Sequence, residues 1–198
     1  MRGVSRETRE RLEDFVELVS RWNKTINLVS PHDVPQIWDR HVADSVQIAQ
    51  SIDGEMDVWT DLGSGGGFPG LIVAIVTPDR FARLNLVEAD RRKATFLRTA
   101  VRELSLQATV HAARIEDVSL PPADVISARA LASLDRLLGM AHRLAKPTAT
   151  HVFPKGVTWR TEVDEALERW SFHYETIPSA LRAGSVILKV RDVAPLRS

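Results

Sequence analysis

The sequence predicts an α/β protein with a Rossmann-like core: a mostly parallel seven-stranded sheet ending in a C-terminal antiparallel hairpin, preceded by an N-terminal helical extension. Three observations carry this. From Asp57 onward, short β-like runs alternate with helical ones, the pattern of a parallel sheet covered by helices on both faces. A glycine-rich stretch, Gly63 to Gly70, stands between the first such run and the helix after it. The last two β-like runs are joined by a link too short for a parallel crossover, which takes roughly a dozen residues or more, so they form an antiparallel pair.

Leu12, Phe15, Val16, Val19 and Trp22 recur at helical spacing behind a capping Ser5 and predict a helix over Ser5 to Trp22. A second helix starts at Asp33, read as its cap, with Pro35 in its first turn and an apolar stripe of Val34, Ile37, Trp38, Val42, Val46 and Ala49. Together they form the extension, residues 1–55. The core, residues 56–198, carries strands over Asp57 to Leu62, Arg83 to Val87, Ala108 to Ala112, Ala123 to Ser127 and Thr148 to Phe153, then the closing pair Phe172 to Ile177 and Ser185 to Val190. Between them fall helices over Gly70 to Val76, Arg91 to Leu104, Leu134 to Ala145 and Thr158 to Trp170.

A length of 198 residues fits one domain. No run approaches the roughly 18 apolar residues of a membrane span, and Met1 to Glu13 lacks the apolar stretch of a secretory signal, so a cytoplasmic protein is expected. Zero cysteines exclude a disulfide framework, a thiolate nucleophile and Cys-ligated zinc. None of the six histidines pairs with another at metal-ligand spacing, so no metal is expected. Lys plus Arg balances Asp plus Glu at 26 each, which counts against a strong non-specific nucleic-acid binder. A local patch, Arg91, Arg92, Lys93, Arg98 and Arg102, fits either a nucleic-acid contact or a solvated helix surface. The same two readings hold for Arg40, His41, Asp44 and Ser45 on the second helix.

Five glycines in the eight positions from Gly63 to Gly70 let the backbone turn sharply and approach a ligand without a Cβ in the way. Gly65, Gly67 and Gly70 also spell the dinucleotide fingerprint, which leaves NAD as a rival on the glycines alone. Asp61, immediately before the loop, is the usual start of a methyltransferase loop, where a carboxylate faces the cationic methionine end of S-adenosylmethionine. Glu88, ending the second strand run, accepts the ribose hydroxyls of either nucleoside. Ile115 and Glu116 stand where a methyltransferase holds the adenine. The common catalytic NAD arrangement fails, because the only tyrosine, Tyr174, has Pro178 where a lysine is required. A P-loop fails too, since no Gly-Lys-Ser/Thr follows the glycines.

The acceptor is narrowed by elimination. Enzymes that methylate exocyclic amines carry an Asp or Asn, two prolines and an aromatic after the fourth strand, where this chain reads Ser127-Ala128-Arg129-Ala130. Methylation at pyrimidine C5 needs a cysteine. Guanine N7 already presents a lone pair and needs no proton removed, so positioning alone suffices, consistent with the lack of an obvious general base.

Taken together, the chain resembles the glucose-inhibited division protein B family, also called RsmG, over nearly its whole length. The motifs are Asn27-Leu28, Arg40-His41 with Asp44-Ser45, Asp61 to Gly70 including Pro69-Gly70, and Glu88 with Lys93, Phe96 and Leu97. Arg114 with Glu116, Ala128-Arg129-Ala130 and Lys155-Gly156 complete them. The resemblance implies a class I methyltransferase fold and methyl transfer from S-adenosylmethionine to N7 of a guanine of the 527 type in the 530 stem-loop of 16S rRNA. It implies a soluble bacterial cytoplasmic enzyme without a metal, read here as a monomer acting on the small ribosomal subunit or an assembly intermediate.

It also implies cofactor contacts from Asp61, Gly63, Gly65, Phe68, Glu88, Ile115, Glu116 and Arg129, and RNA contacts from Arg40, His41, Lys93, Arg129 and Lys155. At Phe68 the family also accepts aliphatics. The family's basic stretch after Glu88 appears here with Asp90 inserted, a negative charge set against RNA. Two alternatives stay open: a methyltransferase fold serving as a ribosome-assembly binding module, and a methyltransferase of another acceptor.

Overall fold

The computed structural model describes residues 4–180 and 182–196. Helix α1 (Arg6–Trp22) begins as its sequence requires, with the Ser5 hydroxyl accepting from the Thr8 N–H at 3.1 Å and Leu12, Phe15, Leu18 and Val19 buried along one stripe. The expected second helix is broken into a 3-10 turn (Val34–Gln36), a π-helical turn (Trp38–Val42) and α2 (Ala43–Ser51). Asp33 does not cap it. Its carboxylate is taken by the Arg40 guanidinium at 2.5 Å, a charge-assisted bond stronger than one to a backbone N–H. The wider π turn, a feature concentrated at functional sites, carries Arg40 and His41.

The strands are β1 (Met56–Leu62), β2 (Phe81–Val87), β3 (Thr109–His111), β4 (Ala123–Ala128), β5 (Ala145–Lys155), β6 (Trp170–Pro178) and β7 (Val186–Pro195). They form one seven-stranded sheet in the order β3-β2-β1-β4-β5-β7-β6. The first five pair in parallel, whereas β7 runs antiparallel to both β5 and β6, giving the expected closing hairpin. β5 extends beyond its apolar run at both ends because Ala145 pairs with Ala123 and Lys155 with Val186.

The intervening helices are α3 (Gly70–Val76), α4 (Arg91–Glu103), α5 (Leu134–His142) and α6 (Trp159–Leu167). Apolar side chains of α1 to α4 close one core on Trp59, Leu84 and Leu86, and those of α5 and α6 close the other on Val58, Val87 and Ile126. Chain growth reverses between β1 and β4, and at such a switch point the crevice beyond the strands' carboxyl ends receives ligands.

The extension is fastened at that edge. Gln47 Nε2 donates to the Pro178 carbonyl at 2.8 Å, the Ala180 N–H donates to Gln47 Oε1 at 3.1 Å, and Lys189 Nζ donates to the Ser51 carbonyl at 2.9 Å. Residues before the core therefore form part of the crevice wall. Among the described residues no helix is long and apolar enough to cross a membrane.

Candidate cofactor and acceptor site

The glycine loop leaves β1 with the N–H groups of Gly63 and Ser64 both donating to the Val87 carbonyl, at 2.9 and 3.1 Å. Gly65 has φ +51°, and a Cβ built there meets no protein atom nearer than the Gly63 carbonyl oxygen at 3.7 Å, so the space beside it belongs to the crevice. Gly70 serves packing instead, because a Cβ would come within 2.7 Å of Asp61 Oδ2.

The Gly65 N–H donates to Glu88 Oε2 at 2.8 Å, and the Asp90 N–H donates to Glu88 Oε1 at 2.8 Å. Glu88 is thus held in one orientation at the end of β2, with lone pairs left for vicinal hydroxyls. Asp90 is the N-cap of α4, accepting from the N–H groups of Arg92 and Lys93 at 2.8 and 3.1 Å. Its negative charge is engaged by the helix.

Around the loop opens a cavity of about 490 Å³ lined by Gly63, Gly65, Phe68, Glu88, Ile115, Glu116 and Arg129, with Lys93 and His41 also on its wall. The structure thus brings together the expected cofactor residues, with one exception. Asp61 is fully buried beneath the loop and does not line the cavity. Its Oδ1 accepts from the Ser127 hydroxyl at 2.6 Å, and that hydroxyl accepts from Trp59 Nε1 at 2.9 Å. Burial pushes its carboxyl up to about 6 against the Ser127 hydrogen bond. Asp61 ties β1 to β4 across the switch point through Oδ1, and its Oδ2 is buried without a hydrogen-bond partner among the described residues.

Leu28, named in the sequence only as part of a family motif, also lines this cavity, as do Val29, Leu131 and Arg136, which the sequence did not single out. Leu28 and Val29 are placed by Asn23, whose Oδ1 accepts from both of their N–H groups at 2.8 and 3.0 Å. An Asn closing a helix was the one local signal.

A second cavity, about 370 Å³, shares Arg129 and His41 with the first. Its walls come from the extension (Asp33, Arg40, Asp44), the strand ends (Arg129, Lys155) and the β6–β7 link (Ser179, Arg182). Arg129 Nη2 donates to the Arg40 carbonyl at 2.6 Å, while Nη1 is buried with no partner. His41 is pushed down to about 4 by burial and then by the Arg129 charge, against the pull of Asp33, whose Oδ2 lies 3.6 Å from Nε2. It is therefore a neutral ring, packed 5.1 Å from Phe68.

Lys155 lines the second cavity with its ammonium engaged by the protein. It is 8% exposed, donating to Glu162 Oε2 at 2.7 Å and to the Ala132 carbonyl at 3.0 Å. Glu162 also accepts from the Leu134 N–H at 3.0 Å, so the pair braces the start of α5 and the loop before it. Arg91, Arg92, Arg98 and Arg102 are exposed on α4, away from both cavities.

The family model described as rRNA small subunit methyltransferase G matches residues 8–185. The chain belongs to this family. Relatives bearing that family name include one from Cereibacter sphaeroides, 51% identical over 96% of this chain and 94% of its own, and one from Gluconobacter oxydans, 50% identical over 97% of each. Among solved structures, a SAM dependent methyltransferase from Aquifex aeolicus superposes with a TM-score of 0.62 at 14% identity, covering 87% of this chain and 97% of its own. M. jannaschii TYW2 in complex with AdoMet does so at 0.59 and 14%, covering 80% and 77%. These establish the Rossmann-like methyltransferase fold for this family member.

The first cavity suits that family's cofactor class: open space beside Gly65, a fixed carboxylate for ribose hydroxyls at Glu88, and an apolar contact at Ile115. Among the described residues no group of His, Asp and Glu is arranged to hold a metal ion.

Proposed function

We propose that this family member transfers a methyl group from S-adenosylmethionine to N7 of one guanine in the 530 stem-loop of 16S rRNA, within the small subunit or an assembly intermediate, as a monomer in the bacterial cytoplasm. The observation that carries this is the pair of adjoining cavities whose common wall is Arg129 and His41. The cofactor supplies an electrophilic methyl on a sulfonium, and N7 supplies the electron pair. The chain's task is to bring the two into line and to keep water out.

Glu88 and the Gly65 backbone orient the nucleoside, Ile115 and Glu116 bound its base, and Phe68 with the neutral His41 forms an uncharged partition towards the acceptor. Arg129, hung on the Arg40 carbonyl, keeps one guanidinium nitrogen for the acceptor. Lys93 and the α4 cations beyond it supply the positive potential that RNA backbone requires.

The test is labelled-cofactor transfer into small subunits from cells lacking this methylation, with the product located by cleavage at N7-methylguanine. One modified guanine in the 530 stem-loop is expected. Label at another base, or none, overturns the reading.

A further inference from the structure

Asp44 is 5% exposed, yet no cation is paired with it among the described residues. Other carboxylates near the crevice are neutralised: Asp33 by Arg40 at 2.5 Å and Glu162 by Lys155 at 2.7 Å. Glu88 is held by two backbone N–H groups, and Asp61, which lines neither cavity, accepts from Ser127 through Oδ1 while its Oδ2 is buried without a partner among the described residues. A carboxylate at this depth is expected to be paired, because an unpaired buried charge is costly. Asp44 has the Ser179 hydroxyl, which donates to Oδ1 at 2.8 Å, and among the described residues none bonds to Oδ2. It lines the second cavity together with Arg129, whose Nη1 is buried and unpartnered. The Asp44 carboxylate, with no cation paired to it among the described residues, and the unpartnered Arg129 Nη1 thus border a single space, beside the buried and unpartnered His41 Nε2.

Resting on the proposed N7 transfer, we propose that Asp44 and Arg129 read the edge of the target guanine, Arg129 Nη1 donating to O6 and Asp44 accepting from N1–H and the 2-amino group. O6 adjoins N7 on the purine, and Arg129 stands on the wall between the two cavities, so the base meets its donor where N7 meets the methyl group. N1–H and the 2-amino group lie farther round the ring, as Asp44 lies on the second cavity alone.

Adenine reverses the pattern, with an amino group against the guanidinium and a lone pair against the carboxylate. Buried polar groups left unmatched in this way give strong discrimination. Asp44 also acts on the rate. As the N7 electron pair forms its bond to the methyl carbon and the sulfur keeps the electron pair of the sulfur–carbon bond that breaks, becoming a neutral thioether, positive charge moves onto the guanine ring. N1–H then becomes more acidic and its hydrogen bond to Asp44 tightens, an interaction stronger in the transition state than in the bound substrate.

The test is single-turnover methylation of small subunits reconstituted with 16S rRNA carrying guanine or hypoxanthine at the target. Wild type, Asp44→Asn and Ser179→Ala are compared, with cofactor affinity and unfolding measured in parallel. Hypoxanthine keeps N7, O6 and N1–H and lacks only the 2-amino group. Wild type is expected to methylate guanine faster than hypoxanthine by about tenfold or more.

Asp44→Asn is expected to lower the maximal rate on guanine on the order of ten- to a hundredfold, with cofactor affinity kept and the guanine-to-hypoxanthine ratio near one. Ser179→Ala, which removes the tether and the acceptor of the Arg182 N–H but leaves the Asp44 carboxylate in place, is expected to keep the wild-type ratio. A wild-type ratio near one, which needs no variant, overturns the pairing, as does a folded Asp44→Asn that retains the wild-type ratio. No transfer by wild type to either base overturns the N7 reading itself.

Discussion

Arg129 Nη2 donates to the main-chain carbonyl of Arg40, a residue 89 positions earlier, at 2.6 Å. That single bond joins the end of β4 to the π-helical turn of the extension and sets the partition between the two cavities.

Arg129→Lys therefore removes more than its retained charge suggests. An ammonium cannot hold the Arg40 carbonyl with one nitrogen and present another at a fixed angle. Single-turnover transfer is expected to slow about ten- to a hundredfold, corresponding to roughly 1.5–3 kcal/mol for a hydrogen bond involving a charged group. Because N7 loses no proton and His41 is already neutral, rates in wild type and variant are expected to stay level from about pH 6 to 9. A wild-type rate for the variant, or a new slope with pH, would contradict this account.

Gly65→Val and Gly66→Ala should fail differently. At Gly65 a side chain enters open cavity at φ +51°, so calorimetry should show S-adenosylmethionine binding weakened by about 1–3 kcal/mol or more in a folded protein. At Gly66 a Cβ comes within 3.0 Å of the Leu28 carbonyl oxygen, backbone that cannot swing aside, so stability should fall first. Unaltered cofactor affinity in folded Gly65→Val would place the cofactor elsewhere.

Lys155→Ala strands Glu162 and is expected to lower unfolding free energy by about 3 kcal/mol. The double variant Lys155→Met/Glu162→Leu should be less destabilised than either single change, since it leaves no unpaired buried charge. Denaturant melts measure both. A Lys155→Ala variant as stable as wild type but weak for RNA would return Lys155 to the role of a phosphate contact.

Acid should destabilise the fold above the pH at which ordinary carboxylates titrate. Burial pushes His41 and His151 down to about 4 in the folded state, so their contribution is complete above 6.5 and drains away as pH falls from 6.5 towards 4. Asp61 works in the opposite sense. Its carboxyl sits at about 6, so stability gains as pH falls from 6 towards 3.8. Two histidines outweigh one carboxyl, and a net loss on the order of 2 kcal/mol is expected between pH 7 and 5 by urea unfolding. His151→Leu should flatten that limb and Asp61→Asn should steepen it. A flat profile in wild type would mean the histidines are not held neutral.

The glycine loop, Glu88, the Ile115–Glu116 pair and the closing hairpin were legible because each rests on residues close in the chain or on a connection length. Boundaries were less so. β5 grew at both ends and the second helix broke into three, as pairing partners and the Asp33–Arg40 contact outweighed local pattern.

The partners of two expected site residues could not be read from the sequence, for a shared cause. Asp61 and Lys155 stand at strand ends as expected, and Asp61 Oδ1 and the Lys155 ammonium meet Ser127 and Glu162, on elements that the chain brings alongside only when it folds. Periodicity reports which face a residue takes, and glycine and capping residues report where the backbone turns. The sequence by itself therefore determined the alternating α/β order, the cofactor loop and the family. Only the tertiary structure decided which charges are free. Strand order set β1 beside β4, and packing of the extension on the hairpin link placed Asp44 against Ser179, 135 residues away. Whether a charge faces a ligand or a partner depends on neighbours across the sheet, and those are chosen by the burial of whole faces, not by any local run of residues.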